Sequence, residues 1–350
     1  MLAKITGMTC ARIFPLLVLS AVSAVSAKTQ TWNVRSSKIE TNLRGVSTAG
    51  DGRGGAVVWA SGSNGVVMVS ADQGKQWKRL RIDGGEDLDF RGVVAFSESK
   101  AYLMSSGEGA KSRIYKTTDG GASWKLEYSD DRKEFFLDAL RCLSESDCYA
   151  LGDPIDGKFV LLHTGDGQRW EPWKAESMPQ ALPQEGAFAA SNSCLYVDAT
   201  GVYFVTGGGT ARIFHSADFG ATWSVRELPL AKSNGSSGAF SIAVEGRNVV
   251  VVGGDYKSAA ESAGSAASSG DGGATWQRAV APPGGFRSAV AAYGGRFIAV
   301  GSNGSDSSDD RGQHWQRTDS GNWNALAVSK SGSWAVGAKG AVARFGDVAR

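Results

Sequence analysis

An eight-residue pattern recurs six times along this chain: Ser or Thr, any residue, Asp, any residue, Gly, two further residues and Trp. The copies end at Trp77, Trp124, Trp170, Trp223, Trp276 and Trp315, so successive copies are 47, 46, 53, 53 and 39 residues apart. Periods of about 40 to 50 residues are typical of propellers and other repeat arrays, in which each repeat adds one layer of core. This periodicity constrains the fold more strongly than any single residue.

The residues of this turn motif suit a hairpin that every repeat needs. Asp accepts hydrogen bonds from backbone amides two residues on, Gly adopts positive φ, and Trp buries apolar surface between repeats. In the third copy Gly165 takes the usual Asp position and Asp166 comes one place late. The other copies keep Asp72, Gly74, Trp77, Asp119, Gly121, Trp124, Asp218, Gly220, Trp223, Asp271, Gly273, Trp276, Asp310, Gly312 and Trp315. Because an active site is built once, we interpret the motif as structural.

Each repeat also contains four short strands, which is the composition of a propeller blade. In the clearest copy we predict strands at 90–96, 101–104, 113–117 and 124–128, with the motif between the last two. The chain contains 47 Gly and no window with the long 3.6-residue periodicity of a helix, which excludes an α-rich fold. The sequence therefore predicts an all-β protein.

The two ends of the repeat region are incomplete. Residues 323–345 supply three strands, and residues 31–35 supply one strand that carries the missing Trp. Pairing the two ends would complete a seventh blade and remove the open sheet edges. We predict a single seven-bladed β-propeller domain over residues 28–350, closed by the N-terminal strand. In blade 5 we expect the Ser, Ala and Gly run at 258–270 to be a flexible loop.

Residues 1–27 have the three parts of a secretory signal peptide. Lys4 and Arg12 form the basic start, residues 13–25 are apolar, and a small-residue ending precedes Lys28, where we expect cleavage. No later segment is long enough to span a membrane. Cleavage removes two of the 37 Lys and Arg and none of the 35 Asp and Glu, which leaves a neutral mature chain. A neutral chain argues against nucleic-acid binding, and export predicts a periplasmic or extracellular protein.

Three Cys remain after cleavage. Cys142 and Cys148 flank a polar turn, which would place them opposite one another on neighbouring strands; a disulfide is the preferred interpretation and two free thiols the alternative. We expect Cys194 to be a buried, unpaired residue. Because the third Cys is remote and the three His lie beside the turn motifs, we expect no metal site and no cofactor.

Turn motifs of this kind are known as Asp boxes, and the chain resembles the bacterial neuraminidase repeat superfamily. The phrases 43–46, 90–93, 323–327 and 334–337 resemble the photosystem II stability and assembly factor family, over nearly the whole mature chain. The resemblance implies a single seven-bladed propeller behind a signal peptide that binds another protein without catalysis. It also implies the thylakoid lumen as the compartment if the cell photosynthesises.

A binding site is expected on the face opposite the turn motifs. Arg44, Arg91, Arg141 and Arg287 fall near the starts of innermost strands, where they could ring a central funnel and bind carboxylate or phosphate groups. The same face receives the acids Asp138, Asp153, Glu185 and Asp255. These acids could instead neutralise the arginines in a structural network, and the sequence leaves both interpretations open.

A glycoside hydrolase is the alternative function. Asp138 with Asp153 or Glu185 could supply the two carboxyl groups that such enzymes use. However, the chain lacks the Arg-Ile-Pro phrase of the first strand of sialidases, and it has one propeller where the xyloglucan-cleaving relatives have two. The preferred prediction is a monomeric, non-enzymatic scaffold whose partner is a protein with acidic groups or a C-terminal carboxylate.

Overall fold

The computed structural model describes residues 1–2, 30–50, 56–330 and 332–347. The predicted signal peptide, residues 1–27, therefore lies outside the described residues except for Met1 and Leu2. The described chain forms seven four-stranded antiparallel sheets. Its helices are four three-residue 3-10 turns, at Gly109–Lys111, Ala175–Ser177, Tyr256–Ser258 and Ala338–Gly340. No helix in these residues is long and apolar enough to cross a membrane.

The strands follow one another blade by blade. β1 (Gln30–Ser36) comes first in the chain but belongs to blade 7. Blade 1 is β2 (Leu43–Gly50), β3 (Ala56–Gly62), β4 (Val67–Ser70) and β5 (Lys78–Leu80); blade 2 is β6 (Phe90–Ala95), β7 (Ala101–Ser105), β8 (Arg113–Thr117) and β9 (Lys125–Ser129); blade 3 is β10 (Leu137–Cys142), β11 (Cys148–Ile155), β12 (Lys158–Thr164) and β13 (Glu171–Pro172). Blade 4 is β14 (Leu195–Asp198), β15 (Gly201–Thr206), β16 (Arg212–Ser216) and β17 (Ser224–Glu227); blade 5 is β18 (Ser237–Glu245), β19 (Asn248–Asp255), β20 (Ala266–Ser269) and β21 (Gln277–Arg278). Blade 6 is β22 (Ala289–Tyr293), β23 (Arg296–Gly301), β24 (Gly304–Ser308) and β25 (Gln316–Asp319); blade 7 is β26 (Trp323–Ser329), β27 (Gly332–Gly337), β28 (Ala341–Asp347) and β1.

The predicted seven-bladed propeller and its closure are confirmed. β1 pairs antiparallel with β28 along its whole length, which places Trp32 opposite Phe345. The first strand of each blade is innermost and contacts the first strands of the neighbouring blades, including β2 with β26 across the closure. We call the face where these innermost strands begin the upper face, and the face that carries the turn motifs the lower face.

In blades 2 and 3 the Trp of the turn motif packs against an aromatic side chain of the preceding blade. Trp124 of blade 2 meets Trp59 of blade 1 edge to face at 6.2 Å between ring centroids, and Trp170 of blade 3 meets Tyr102 of blade 2 at 5.9 Å. In blade 7 the same place is taken by Trp32, whose Nε1 donates to Ser305 Oγ of blade 6 at 2.9 Å. The motif spacing therefore reflects the contact between neighbouring blades.

Within the motif, the hydroxyl and the carboxylate hold the turn. In the first copy Ser70 Oγ donates to Asp72 Oδ1 (2.8 Å) and accepts from the amide of Gly74 (2.8 Å), while Asp72 Oδ1 also accepts from the next two amides. The third copy differs from its sequence interpretation. Thr164 Oγ1 donates to Asp166 (3.1 Å) and accepts from Gly167 N (3.0 Å), so the copy keeps its Asp and lacks one residue after it.

The expected loop at 258–270 is only partly a loop. Residues Ala266–Ser269 form β20, the third strand of blade 5, and all four are buried. Their small side chains pack beside Val249, Val250, Val251 and Val252 of β19, which supply the bulk that the third strand lacks. The prediction of a flexible loop was wrong for these four residues because it considered only their small side chains and not the larger valines of the neighbouring strand.

Candidate functional site

A recurring β-bulge lies near the start of the innermost strand, at its second residue in blades 1, 2, 3 and 7 and at its fourth in blade 5. The strand pairing skips Arg44 in blade 1, Arg91 in blade 2, Asp138 in blade 3, Phe240 in blade 5 and Asn324 in blade 7. A bulge leaves one residue unpaired and turns its side chain in a new direction. The residues of blades 1 to 3 each lie 28 positions before the motif Asp of the same blade, so this equivalence can be read from the sequence.

The innermost strands of the seven blades surround a central channel. Residues 188–193, which lead into the innermost strand of blade 4, cross this channel, and we call them the plug. Ser191 Oγ donates to Ser288 O of blade 6 (2.7 Å), and Ser193 Oγ bonds Ser241 Oγ of blade 5 (2.7 Å). Asn192 pairs with both backbone groups of Leu140 in blade 3, at 2.7 and 3.1 Å. With the bond from Arg91 of blade 2 to Ala189 O, the plug bonds to four blades at once.

A glycine of blade 2 makes room for the plug. A Cβ at Gly92 would lie 2.7 Å from Asn192 Oδ1, closer than side-chain carbons approach a hydrogen-bonding oxygen. The channel is consequently divided into an upper and a lower cavity that share no lining residue.

The upper cavity has a volume of about 410 Å³ and opens on the predicted face. Its wall combines two arginines with aromatic side chains. It is lined by Arg44, Arg91, Phe188, Ala189, Ala190, Phe240, Tyr256, Phe286, Ser288, Ser302, Trp323 and Asn324. Four of the five bulged residues are among them, so the bulges build this wall.

The two arginines carry more positive charge than their neighbours offset. Arg91 Nε donates to Asp89 (2.7 Å) and its Nη1 to Ala189 O of the plug (3.1 Å). Arg44 Nε is buried without a hydrogen-bond partner among the described residues. Burial lowers the pKa of Arg44, and the nearby charge of Arg91 lowers it further. An anion in this cavity would relieve both effects, because it supplies the missing acceptor and the missing charge.

The aromatic side of the cavity was not predicted from the sequence. Phe188 of the plug stacks on Phe240 with ring centroids 3.8 Å apart, and Phe286 meets Phe240 edge to face at 4.8 Å. Tyr256, 48% exposed, contacts both Phe240 and Phe286 from the rim. These residues come from blades 5 and 6 and the plug, and Phe240 lacks the 28-residue spacing that marks Arg44 and Arg91, so no sequence signal pointed to it.

The other two predicted arginines do not reach the upper cavity. Arg287 is fully buried and ion-paired with Asp306, and its Nη1 donates to Asn303 (2.6 Å), so it belongs to the core of blade 6. Arg141 is the fifth residue of β10 rather than an early one, because Asp138 occupies the bulge of blade 3. It therefore lines the lower cavity.

Two of the four predicted acids, Glu185 and Asp255, have partners other than the predicted arginines. Glu185 has a fully buried side chain that pairs with Arg212 and accepts from Thr206 Oγ1 (2.5 Å). Asp255 accepts from Asn234, Ser236 and the amide of Lys257, so it caps the 3-10 turn that carries Tyr256. Neither acid neutralises a predicted funnel arginine, and the acid that pairs with Arg91 is Asp89.

Asp138 and Asp153 lie together, buried beside residues 187–189. Asp138 is 1% exposed, and neither of its oxygens has a hydrogen-bond partner among the described residues. Burial raises its pKa well above the usual range, and the neighbouring Asp153 raises it further. Burial also raises the pKa of Asp153 to about 6, against a hydrogen bond from Ala187 N (3.0 Å). Neither acid lines the upper cavity.

The described cysteines form one disulfide and leave one buried thiol. Cys142 and Cys148 face one another on β10 and β11 with their sulfurs bonded and their Cα atoms 4.0 Å apart. Cys194 is buried without a disulfide partner. Within the described part of the chain, no group of three or more His, Cys, Asp or Glu could hold a metal ion.

Comparison with known proteins gives matches to structures but not to sequences. No protein-family model and no curated protein sequence matches the chain. The solved structure of YCF48 from Cyanidioschyzon merolae is similar at 14% identity and a TM-score of 0.60, covering 90% of this chain and 98% of that one. A structure of YCF48 bound to D1 peptide is similar at 15% identity and a TM-score of 0.62, covering 92% and 98%.

Propellers of other kinds are similar to a comparable degree. The Pan2 WD40 domain of Neurospora crassa has 12% identity and a TM-score of 0.59, covering 93% of this chain and 98% of that one. The structural similarity establishes the propeller fold. At identities this low it does not establish the function, which has to be argued from the site.

Proposed function

We propose that the protein is an exported, non-enzymatic scaffold whose upper cavity binds a peptide segment of another protein. The observation that carries the proposal is the pairing, in one cavity, of Arg44 and Arg91 with the stacked rings of Phe188 and Phe240. A carboxylate would accept from the guanidinium groups, and a neighbouring apolar side chain would pack on the rings. A similar structure that is described as YCF48 bound to D1 peptide supports this choice of ligand class.

The proposed ligand is an acidic side chain or a C-terminal carboxylate next to an apolar residue. Because the guanidinium of Arg44 makes no hydrogen bond to the described residues and Arg91 retains donors beyond its bonds to Asp89 and Ala189 O, the terminal nitrogens of the two groups can share one anion. Charge-assisted hydrogen bonds contribute about 1.5 to 3 kcal/mol each. We propose that such binding stabilises or helps to assemble the partner, as the resemblance to photosystem II assembly factors implies.

The test is capture of envelope proteins by the mature protein and by an Arg44→Gln/Arg91→Gln variant. The matched control, Arg169→Gln/Arg226→Gln, removes two exposed arginines outside the cavity. We expect a set of captured proteins that the control retains and the cavity variant loses. A peptide from a captured protein should then bind the cavity variant at least tenfold more weakly in fluorescence anisotropy. Equal recovery by both folded variants would contradict the proposal.

Export is a separate part of the proposal and has its own test. The protein recovered from the envelope or the medium should begin at Lys28, as N-terminal sequencing would show. Recovery of the intact chain from the cytoplasm alone would contradict export and leave the peptide-binding proposal to its own experiment.

A further inference from the structure

The lower half of the channel contains a second cavity, of about 340 Å³, that shares no lining residue with the proposed peptide site. Each innermost strand pairs with a neighbour on one edge only, so the backbone groups of its other edge face the channel. The larger aliphatic side chains of these strands, such as Val46, Ile242 and Val290, are instead buried in the cores between blades. The surface of the lower cavity is therefore mainly polar.

Arg141 is the one charged side chain among the described residues that line this cavity. Its Nε donates to Leu195 O at 3.1 Å, which is the one hydrogen bond that its guanidinium makes to the described residues. The two terminal nitrogens lie at the surface of the cavity and bond to no described residue. A guanidinium withdrawn from bulk water without a counter-charge is unfavourable, and an anion in the cavity would supply that charge.

The charge of Arg141 has no acidic partner in the part of the chain that the structure describes. Burial lowers the pKa of Arg141, and the groups that oppose this shift are the thiol of Cys194 and the phenol of Tyr196, which are neutral at pH 7. The Tyr196 hydroxyl donates to Asp198 Oδ2 at 3.2 Å, but Asp198 does not line the cavity. The electrostatic potential in the cavity is therefore positive and attracts anions.

Two hydroxyl groups of blade 1 add donors on another side of the cavity. Ser47 Oγ accepts from Ala95 N at 3.0 Å and donates to no described residue, so its proton can bond a ligand. Thr48, which also lines the cavity, has a hydroxyl that bonds to no described residue. Because Arg141 belongs to blade 3, the donors come from two separate walls. A tetrahedral oxyanion has acceptor oxygens in four directions and matches such donors better than a carboxylate, whose two oxygens point one way.

We propose that the lower cavity binds a small tetrahedral oxyanion, sulfate or phosphate. The terminal nitrogens of Arg141 donate to two of its oxygens, and the hydroxyls of Ser47 and Thr48 bond the others directly or through water. The two ions differ by one proton, since hydrogen phosphate carries an O–H donor whereas sulfate only accepts. No described side chain of the lining is a carboxylate that could accept this proton, so sulfate should bind at least as tightly as phosphate.

The location of the site is tested with crystals of the mature protein soaked in selenate, which has the shape and charge of sulfate and a strong anomalous signal. We expect one anomalous peak within hydrogen-bond distance of the terminal nitrogens of Arg141. The absence of a peak at Arg141, or a peak confined to Arg44 and Arg91 in the upper cavity, would overturn the proposal. The second outcome would leave the proposed peptide site intact.

Binding in solution is tested by thermal unfolding. Sulfate is compared with chloride at equal ionic strength and in each variant, because sulfate also stabilises proteins without binding to a site. With a dissociation constant of about 1 mM, sulfate at about 50 mM should raise the unfolding midpoint by about 3 °C more in the unmodified protein than in Arg141→Met. Arg226→Met removes an exposed arginine outside the cavity and, as the matched control, should respond to sulfate as the unmodified protein does.

A second variant tests the site without removing Arg141. Thr48→Val keeps the shape of the side chain but loses its hydroxyl, and should lose part of the response to sulfate. Equal responses in the unmodified protein and in folded Arg141→Met would overturn the proposal and would mark a selenate peak at Arg141 as an adventitious ion only. If Arg141→Met does not fold, an unchanged response in Thr48→Val would decide against the proposal in its place.

Discussion

Asp138 and Asp153 of blade 3 are two buried carboxyl groups that lie next to one another. Asp138 occupies the same bulge as Arg44 and Arg91, but it is buried next to Asp153 while they line the upper cavity. A carboxylate without hydrogen bonds in this place favours its neutral form. Asp153, beside it, accepts from Ala187 N, the amide that directly precedes the plug. The charge state of this pair is therefore linked to the stability of the centre of the ring.

We predict that Asp153→Asn stabilises the protein at pH 7.5. The folded pKa of Asp153, about 6, exceeds the unfolded value of 3.8, so ionisation opposes folding. This cost is fully present above about pH 6 and is relieved as the pH falls towards 4. Asn avoids it and can still accept from Ala187 N. Urea unfolding should give a free energy about 1 to 3 kcal/mol higher at pH 7.5, with the gain vanishing near pH 4.

Asp255→Asn is the matched control, because its shift has the opposite sign. Hydrogen bonds from Asn234 and Ser236 lower the pKa of Asp255 in the folded protein. Its contribution to stability is present above the unfolded pKa and is lost as the pH falls through the folded pKa. This variant should therefore be less stable at pH 7.5 and unchanged in strong acid. A gain at pH 7.5 in both variants would contradict the assignment of the Asp153 effect to buried charge.

Each turn motif is a local hydrogen-bonded unit whose carboxylate is exposed. Hydrogen bonds from Ser123 and Thr117 lower the pKa of Asp119 to about 2. The contribution of such an Asp is present above about pH 4 and is lost as the pH falls towards 2. At Asp166, where the chain is one residue shorter, the carboxylate also accepts from the preceding Thr hydroxyl, and two backbone amides supply its other bonds. The third copy is thus shortened and not degraded.

We predict that Asp166→Ala lowers the thermal unfolding midpoint at pH 7 about as much as Asp218→Ala does. Asp166 accepts from Thr164 Oγ1 and two backbone amides, and Asp218 accepts from the Ser216 and Thr222 hydroxyls and the Thr222 amide. The control is Asp131→Ala, an exposed acid outside the motifs, which should leave the midpoint unchanged. If Asp166→Ala behaved like this control, the third copy would not be an equivalent turn.

The elements could be predicted from the sequence because their signals are local and repeated. The motif and the alternating strands fixed seven blades, and the three positions 28 residues before a motif Asp mark Arg44, Arg91 and Asp138 as equivalents. The prediction that Arg141 lies on the upper face was wrong because Asp138, and not Arg141, occupies the position 28 residues before the motif Asp of blade 3. The aromatic cluster was missed because the contacts of Phe240 with Phe188 and with Phe286 join residues 52 and 46 positions apart, and contacts at such distances along the chain leave no local pattern.

At the scale of the whole molecule, the ring depends on one joint between its ends. β1 gives blade 7 its outermost strand, and Trp32, 6% exposed, packs against Trp323 and Phe345 of its own blade at 5.8 and 5.0 Å between ring centroids. It also bonds Ser305 of blade 6. Without this strand, β28 would present an unpaired edge, which is an aggregation hazard.

We predict that Trp32→Ala lowers the free energy of unfolding by about 3 to 5 kcal/mol, the usual cost of removing a buried aromatic side chain. Trp32→Phe keeps most of the packing but loses the hydrogen bond to Ser305. The lost bond should lower the free energy of unfolding by about 1 kcal/mol, in addition to the loss caused by the smaller ring. Val34→Ala, on the same strand but 69% exposed, is the control and should change little. Hydrogen exchange should be faster in β28 of the Trp32→Ala variant because its pairing to β1 opens more often. Equal losses in Trp32→Ala and Val34→Ala, with unchanged exchange in β28, would show that the ring does not rely on this joint.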